Sequence, residues 1–275
     1  RQSTESALVE VLPILRNNVI PRFTTQIGTE GSVVCFDDIQ EFVKAAVPIF
    51  KKAIKTSNIL ETKILAYTNK RVDAFNQKFK EILFSKEVEY SKFEFLTCYE
   101  NLEFNYMPFS NSMDYIIIGD PIQTDIQIPN FMSMPGWKLL LYDSANEISA
   151  EILMLSKICS PDYFLALAEL IENTRLEAIQ LKNVDRKGSN KLWNKYYSII
   201  NSFTSPIDLF VGNRVIRKKS FDYGYATTVH KSQGKTLNNV FIDMKNILLC
   251  RDEEELRQLQ YVAISRTKNN VYIFQ

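Results

Sequence analysis

The decapeptide TTVHKSQGKT at residues 227–236 has the residue types most suited to phosphate chemistry. Its last three letters are those that end a phosphate-binding loop, GxxxxGK[ST]. In such a loop a first glycine, five positions before the second, lets backbone N–H groups converge on phosphates. Counting back from Gly234 gives Val229, and none of the eight glycines offers another match. The sequence therefore predicts that this chain has no phosphate loop and does not hydrolyse ATP alone.

The same stretch has a second interpretation as the end of a strand. A strand through Thr228 and His230 would present both side chains on one side, at the edge where open α/β sheets bind ligands. Over TTVHKSQGKTLNNVFID the sequence resembles motif V of superfamily 1 helicases, in the RecD/Dda-like branch. The resemblance implies contacts with single-stranded DNA by Thr228, His230, Lys231 and Ser232, and contacts with ATP by Gln233, Gly234 and Lys235.

A second resemblance lies downstream, in QLQYVAISRTKNNVYIF at residues 258–274. This segment is similar to motif VI of the same helicases, and the resemblance makes Arg266 a catalytic arginine that approaches the γ-phosphate. A guanidinium stabilises the charge that develops on phosphoryl oxygens during transfer. The alternative is a surface arginine that forms an ion pair with the acidic run Glu253–Glu255.

Two further matches lie near the start of the chain. ILAYTNKRVDAFN at residues 64–76 resembles the start of the second RecA-like domain, so Thr68 and Asn69 would lie at a helix terminus that suits a nucleic-acid phosphate. The alternative is an ordinary helix cap without a ligand. Arg1-Gln2 resembles the end of the R-R-Q segment of the family, which makes Arg1 a second phosphate-sensing, catalytic candidate. Because the chain opens on Arg rather than Met, we expect it to be a piece of a longer polypeptide.

Hydrophobic periodicity predicts an α/β fold with a β-rich interruption. Strand and helix patterns alternate up to about residue 83 and again from residue 225, whereas residues 86–150 contain short β-rich runs separated by turn residues. Helices are predicted at about 161–181 and 190–203. With the resemblance, this gives a RecA-like parallel sheet with crossover helices, interrupted by a small SH3-like β-barrel insert and accessory helices. The predicted domains are 1–85 and 206–275 for the two RecA-like segments, and 86–205 for the insert with its helices.

Two other patterns invite a functional interpretation. YIIIGDPIQ at residues 115–123 resembles helicase motif III, but it follows residues 64–76, against the family order, so we interpret Gly119-Asp120 as a turn in the insert. The basic run Arg214, Arg217, Lys218 and Lys219 is either a nucleic-acid contact or a solvated surface.

Composition limits the class of protein. With 45% hydrophobic and 24% charged residues, the composition is typical of a globular chain. Because the net charge is only +1, any nucleic-acid site must be a local basic groove. With one histidine and four dispersed cysteines, the sequence predicts no metal site. No apolar run is long enough to span a bilayer, so we expect no membrane association. We expect a cytoplasmic protein, in the host cytoplasm if it is viral.

The resemblance implies the carboxyl-terminal part of an ATP-dependent DNA helicase that moves 5′ to 3′, with roles in DNA replication and repair. Its partners would be single-stranded DNA and the amino-terminal RecA-like domain of the same polypeptide, which would hold the phosphate loop and most contacts to ATP and Mg²⁺. The alternative is a nucleic-acid-binding module that keeps a helicase-like fold without a motor.

Overall fold

A computed structural model describes residues 8–104 and 106–275. The helices are α1 Leu8–Asn17, α2 Ile39–Lys55, α3 Asn69–Leu83, α4 Pro161–Leu181, α5 Arg186–Ile200, α6 Met244–Ile247 and α7 Glu253–Ser265. The strands are β1 Val33–Phe36, β2 Thr62–Ala66, β3 Phe95–Cys98, β4 Leu102–Phe104, β5 Met107–Phe109, β6 Asp114–Ile117, β7 Ile122–Gln127, β8 Ser133–Asp143, β9 Ile148–Leu155, β10 Leu209–Val211, β11 Arg214–Ile216, β12 Phe221–Tyr223, β13 Ala226–Thr228, β14 Leu237–Asp243 and β15 Thr267–Phe274. A short 3₁₀ helix covers His230–Ser232.

The chain forms two compact units, one up to Val88 and from Tyr223 to Gln275, the other from Glu89 to Asp222. In the first unit, five parallel strands follow the order β1-β15-β14-β2-β13. The second unit contains a six-stranded sheet whose pairings of β3 with β6, β6 with β8, and β8 with β7 and β9 are antiparallel. The predicted fold class, a parallel α/β sheet interrupted by a β unit and helices, is confirmed.

The second boundary lies at 222/223 rather than at the predicted 205/206. Backbone bonds explain the difference, because Ser220 donates to Ser205 and accepts from Tyr99, both residues of the second unit. The strands β10 and β11 therefore belong with the insert, although their position just ahead of motif V suggested otherwise.

Both faces of the parallel sheet are buried, and successive residues of one strand serve opposite faces. Val240 and Ile242 of β14 pack in a cluster with residues of α1 and α7. Between them, Phe241 lies 5.4 Å from the ring of Phe42 on α2. A shift of one residue in strand register would exchange these aliphatic and aromatic sets, so the register is strongly specified.

At the amino ends of the strands, asparagines form a polar ladder. β14 and β15 both carry the letters Asn-Asn-Val near their start, and the register places Asn239 opposite Asn270. Asn270 Nδ2 donates to Asn239 Oδ1 at 3.1 Å, and Asn239 Nδ2 donates to the carbonyl of Glu61 at 3.2 Å. Thr267 Oγ1 donates to the carbonyls of Asn238 and Asn270. These bonds fix the loop that carries Arg266.

Glu61 anchors this ladder through its carboxylate. It accepts from Lys52 Nζ at 2.7 Å and from Asn238 Nδ2 at 2.8 Å. The bond from Lys52 lowers the pKa of Glu61; burial opposes this, and the amides of Asn238 and Asn58 add to the lowering. A carboxylate bound in this way stabilises the fold only while it is ionised.

We predict a pH dependence of stability from Glu61. Because its folded pKa is below the unfolded value of about 4.3, its stabilisation is present above that pH and is lost as the pH falls through the folded pKa. Replacing Glu61→Gln should therefore make the free energy of unfolding fall less steeply below about pH 4.5. Urea unfolding at a series of pH values measures this slope. The exposed Glu30→Gln is the matched control, and equal slopes for the two variants would contradict the assignment.

A second prediction concerns Gly136 on β8. A Cβ built there would lie 2.7 Å from the carbonyl oxygen of Met154 and 2.3 Å from Ile126 Cδ1. Since a backbone atom cannot give way as a side chain can, Gly136→Ala should lower the free energy of unfolding by about 1–3 kcal/mol. At Gly119 the nearest atom, Leu140 Cβ, lies 3.2 Å away, so Gly119→Ala should cost less. Thermal and urea denaturation compare the two, and an equal or greater loss at Gly119 would refute the steric explanation.

Candidate functional site

The carboxyl ends of β2 and β13 bring two distant parts of the sequence together. Thr228 lies opposite Ala66 in the register, and the N–H of Val229 donates to the carbonyl of Ala66 at 3.0 Å. Because Thr68 and Asn69 directly follow β2, they lie at the same edge of the sheet as Thr228. The resemblance to helicases predicts that a nucleic-acid strand binds at this edge.

Thr68 acts as a helix cap in this structure. Its Oγ1 accepts from the N–H of Arg71 at 3.3 Å, at the start of α3. The side chain of Asn246 accepts from the N–H groups of Tyr67 and Thr68, both at 2.9 Å. Asn69 is exposed. The role of Thr68 is therefore that of a helix cap. The amino end of α3 beside the exposed Asn69 is still accessible to an anion.

The predicted strand through His230 is wrong. β13 ends at Thr228, Val229 has helical torsion angles (φ −54°, ψ −42°), and His230 begins the 3₁₀ helix. Ser232 Oγ donates to the carbonyl of Val229 at 2.6 Å, which stabilises this turned backbone. Thr228 and His230 consequently do not share one side by strand alternation.

The residues predicted to bind DNA differ in exposure. Ser232 is fully buried and Thr228 is 8% exposed, and Thr228 Oγ1 accepts from the N–H of Lys231. His230 is exposed, and its Nε2 lies 3.3 Å from Glu255 Oε1 at the start of α7. Side-chain contacts with a ligand are thus open to His230, Lys231 and Asn69, whereas Ser232 and Thr228 shape the turn.

Gly234 turns the chain back toward the amino edge of the sheet. Its φ of +83° lies in the region that favours glycine, and nothing lies within 4 Å of an added Cβ. After Lys235 and Thr236, the N–H of Leu237 donates to the carbonyl of Arg266 at 2.8 Å. The segment that starts beside Thr228 at one edge therefore ends beside Arg266 at the other.

Arg266 directly follows α7 as its C-terminal cap, and its guanidinium makes few hydrogen bonds within the described residues. Its NH2 group donates to Ser265 Oγ at 3.2 Å, and its buried Nε has no hydrogen-bond partner in the described part of the chain. Among those residues it forms no ion pair with Glu253–Glu255, since Glu255 faces His230 instead. The surface ion pair that was the alternative for Arg266 is absent from the described residues. A buried N–H without an acceptor is costly, so an anion here would be stabilised.

A polar cleft of about 940 Å³ opens beside Arg266. It is lined by the Gly28–Gly31 loop, by Thr236 and by the residues that flank Arg266, Ser265 and Thr267–Asn270. Hydroxyl and amide groups of this kind bind phosphate oxygens. Gln233 does not line this cleft; it lines a separate cavity with Val262, one turn of α7 before Arg266. Gly234 and Lys235, the other residues predicted to contact ATP, line neither of these two spaces, and of their segment only Thr236 lines the cleft.

The remaining residues predicted from the sequence are Arg1 and the basic run. Arg1 lies outside the described residues. In the second unit, Arg214 pairs with Glu172 at 3.0 Å, Lys218 with Glu100 at 3.4 Å and Lys219 with Asp222 at 2.6 Å. Burial lowers the pKa of Lys218. These internal partners remove most of the support for the basic run as a nucleic-acid contact.

The asparagine ladder is part of the site that sequence reasoning missed. The repeated Asn-Asn-Val before two apolar runs was the available signal, because identical starts on neighbouring parallel strands predict paired side chains. In the described residues, no three His, Cys, Asp or Glu side chains come together in a way suited to a metal ion. No described helix combines the length and apolar character needed to cross a membrane.

Comparisons with known proteins place the site in a family context. Residues 223–274 match the family model of the UvrD-like helicase C-terminal domain. No curated protein matches the chain. Among solved structures, the Pif1 helicase from Candida albicans is similar, with a TM-score of 0.43 and 14% identity over 98% of this chain. The chain covers 52%, about half, of that protein. The predicted resemblance to the carboxyl-terminal part of a superfamily 1 helicase is confirmed by the family match, and residues 223–274 are related to the C-terminal domain of UvrD-like helicases.

Proposed function

We propose that this chain is the carboxyl-terminal part of an ATP-dependent DNA helicase and supplies an arginine finger and single-strand contacts to a motor. The observation that carries the proposal is the guanidinium of Arg266, whose buried Nε has no partner among the described residues. It lies at the end of the segment that matches the helicase domain. A guanidinium held in this way suits the charge of a transferring phosphoryl group.

The two edges of the sheet would have different ligands. At the amino edge, the cleft lined by Thr236 and Ser265 would receive the phosphates of ATP beside Arg266. At the carboxyl edge, Asn69, His230 and Lys231 would contact a DNA strand. The phosphate loop and the carboxylates that hold Mg²⁺ would belong to an amino-terminal RecA-like domain, since the sequence contains no phosphate loop and no group of metal-ligating side chains occurs among the described residues.

The finer parts of the proposal follow from the resemblance alone. Movement from 5′ to 3′ is what the RecD/Dda-like branch implies, as are roles in DNA replication and repair in the cytoplasm. A nucleic-acid-binding module without a motor is the competing function. Such a module would make the same strand contacts, but it would not need an arginine with an unpaired buried Nε at the opposite edge.

The test is Arg266→Ala in the full-length protein. Loss of an arginine finger should lower kcat for ATP hydrolysis by roughly 10³-fold or more, because the missing charge acts in the transition state. Strand affinity, measured by fluorescence anisotropy, should change little. Arg266→Lys should restore only a small part of the rate, since an ammonium lacks the bidentate geometry.

Arg251→Ala is the matched control, because Arg251 is an exposed arginine just before α7. It should leave both the ATPase rate and strand affinity near the wild-type values. Unchanged hydrolysis in Arg266→Ala would rule out the finger. A full-length protein that binds strands but hydrolyses no ATP would favour the module.

A second test uses residues 1–275 alone. Without a phosphate loop to hold the β- and γ-phosphates, this chain should show no ATP turnover above the buffer rate. Release of phosphate is measured with and without single-stranded DNA, and circular dichroism establishes that the chain is folded. ATP turnover that co-purifies with residues 1–275 and persists in Arg266→Ala would show a second nucleotide site. That result would contradict the proposal.

A further inference from the structure

A cavity of about 280 Å³ lies behind the 3₁₀ helix, between α1 and α7. Its floor is aliphatic, formed by Leu15, Val229 and Leu259, which are 0–3% exposed. No described side chain fills this space. An open apolar concavity gains free energy when a flat apolar surface covers it, at about 25 cal/mol per Å².

The rim of the cavity carries polar groups with few partners. Gln233 is exposed, and its side-chain amide forms no hydrogen bond with any described residue. Among the described residues, the side-chain amide of Gln258 on α7 donates to Glu254 alone, at 3.4 Å. Both amides line the cavity, and polar groups around an apolar floor are typical of a ligand site.

Two arginines add positive charge to the same rim. The guanidinium of Arg16 lies 5.9 Å from the ring centroid of Tyr261, and Arg257 donates to the carbonyl of Arg16. Neither forms an ion pair with a carboxylate in the described part of the chain. Glu255 also lines the cavity, but it faces His230.

We infer that this cavity binds one unstacked nucleobase of a DNA strand, and that the phosphate of the same nucleotide contacts Arg16 and Arg257. The inference rests on the proposed function. Aliphatic and aromatic walls suit the faces of a base, amides suit its polar edge, and guanidinium groups suit a phosphate. The volume is at the lower limit for small-molecule sites, roughly 300 Å³, so it admits one base and not a stack.

The base comes from the strand rather than from ATP. His230, which lines the cavity, lies at the carboxyl edge of the sheet, where Thr68 and Thr228 also lie. The cleft beside Arg266, which would receive ATP, has a different lining and lies at the amino edge. A base in the cavity would therefore belong to the nucleotide that His230 and Lys231 contact.

The probe is a single-stranded DNA with one 2-aminopurine, moved along the strand from one oligonucleotide to the next, bound to the full-length protein. At one position the fluorescence should rise, because unstacking relieves quenching. Val262→Phe adds a ring to the cavity wall and should abolish this rise. It should also weaken strand binding by roughly tenfold, the range for loss of one base contact.

A second, milder variant tests the same cavity if Val262→Phe does not fold. Gln258→Ala removes an exposed amide and should weaken binding roughly threefold, the effect of one hydrogen bond. Leu249→Phe adds a ring at a 63% exposed position outside the cavity and should change nothing. An abasic nucleotide at the fluorescent position should weaken binding to the wild type but not to Val262→Phe.

The outcomes separate this inference from the proposed function. Normal fluorescence and strand affinity in a folded Val262→Phe would overturn the base site, while the effect of Arg266→Ala on hydrolysis would stand. A raised KM for ATP in Val262→Phe, with strand affinity unchanged, would assign the cavity to ATP and also overturn the inference. A wild-type protein that binds no strand would overturn both.

Discussion

The register of β14 against β15 determines where the candidate site lies. Leu237 faces Thr267, and the N–H of Leu237 donates to the carbonyl of Arg266. One backbone bond contributes only about 1 kcal/mol. The register itself is held far more strongly, because a slip would exchange Val240 and Phe241 between an aliphatic face and an aromatic one. The register shifts between Leu237 and Asn239, so packing on both faces fixes the strand from Asn239 onward, and the bond from Leu237 to Arg266 fixes the start of β14.

The sequence predicted the elements of the first unit better than the connections between them. Apolar periodicity predicted alternating strands and helices up to about residue 83 and again from residue 225, where β2, α3, α7 and β15 lie, because each buries a regular stripe or face. The turn after Thr228 was missed, since Val229 is a β-branched residue that favours strands. Its helical torsion angles depend on a bond from Ser232 Oγ, which no periodicity reveals.

Buried charges explain why the basic run was ambiguous from sequence. Its lysines find carboxylates in the fold: Lys218 pairs with Glu100, and Lys219 shares Asp222 with Lys157. Burial alone would raise the pKa of Asp222, but the two lysines outweigh it and hold the pKa below its usual range. Such pairs stabilise the fold only as complete sets, because removing one partner leaves a buried charge. Partners so far apart in sequence cannot be matched without the strand pairings.

The segment from Thr228 to Leu237 connects the two edges of the sheet over a short path that is anchored at each end and in the middle. Its ends are held by bonds to Ala66 and Arg266, and its middle by the buried Ser232. Few residues of this segment are therefore free to adjust their backbone if His230 is displaced. The one glycine, Gly234, supplies the turn rather than slack, because its φ of +83° is a defined conformation within a bonded segment. His230 at one edge and the loop of Arg266 at the other are therefore joined by ten residues whose backbone bonds hold both ends.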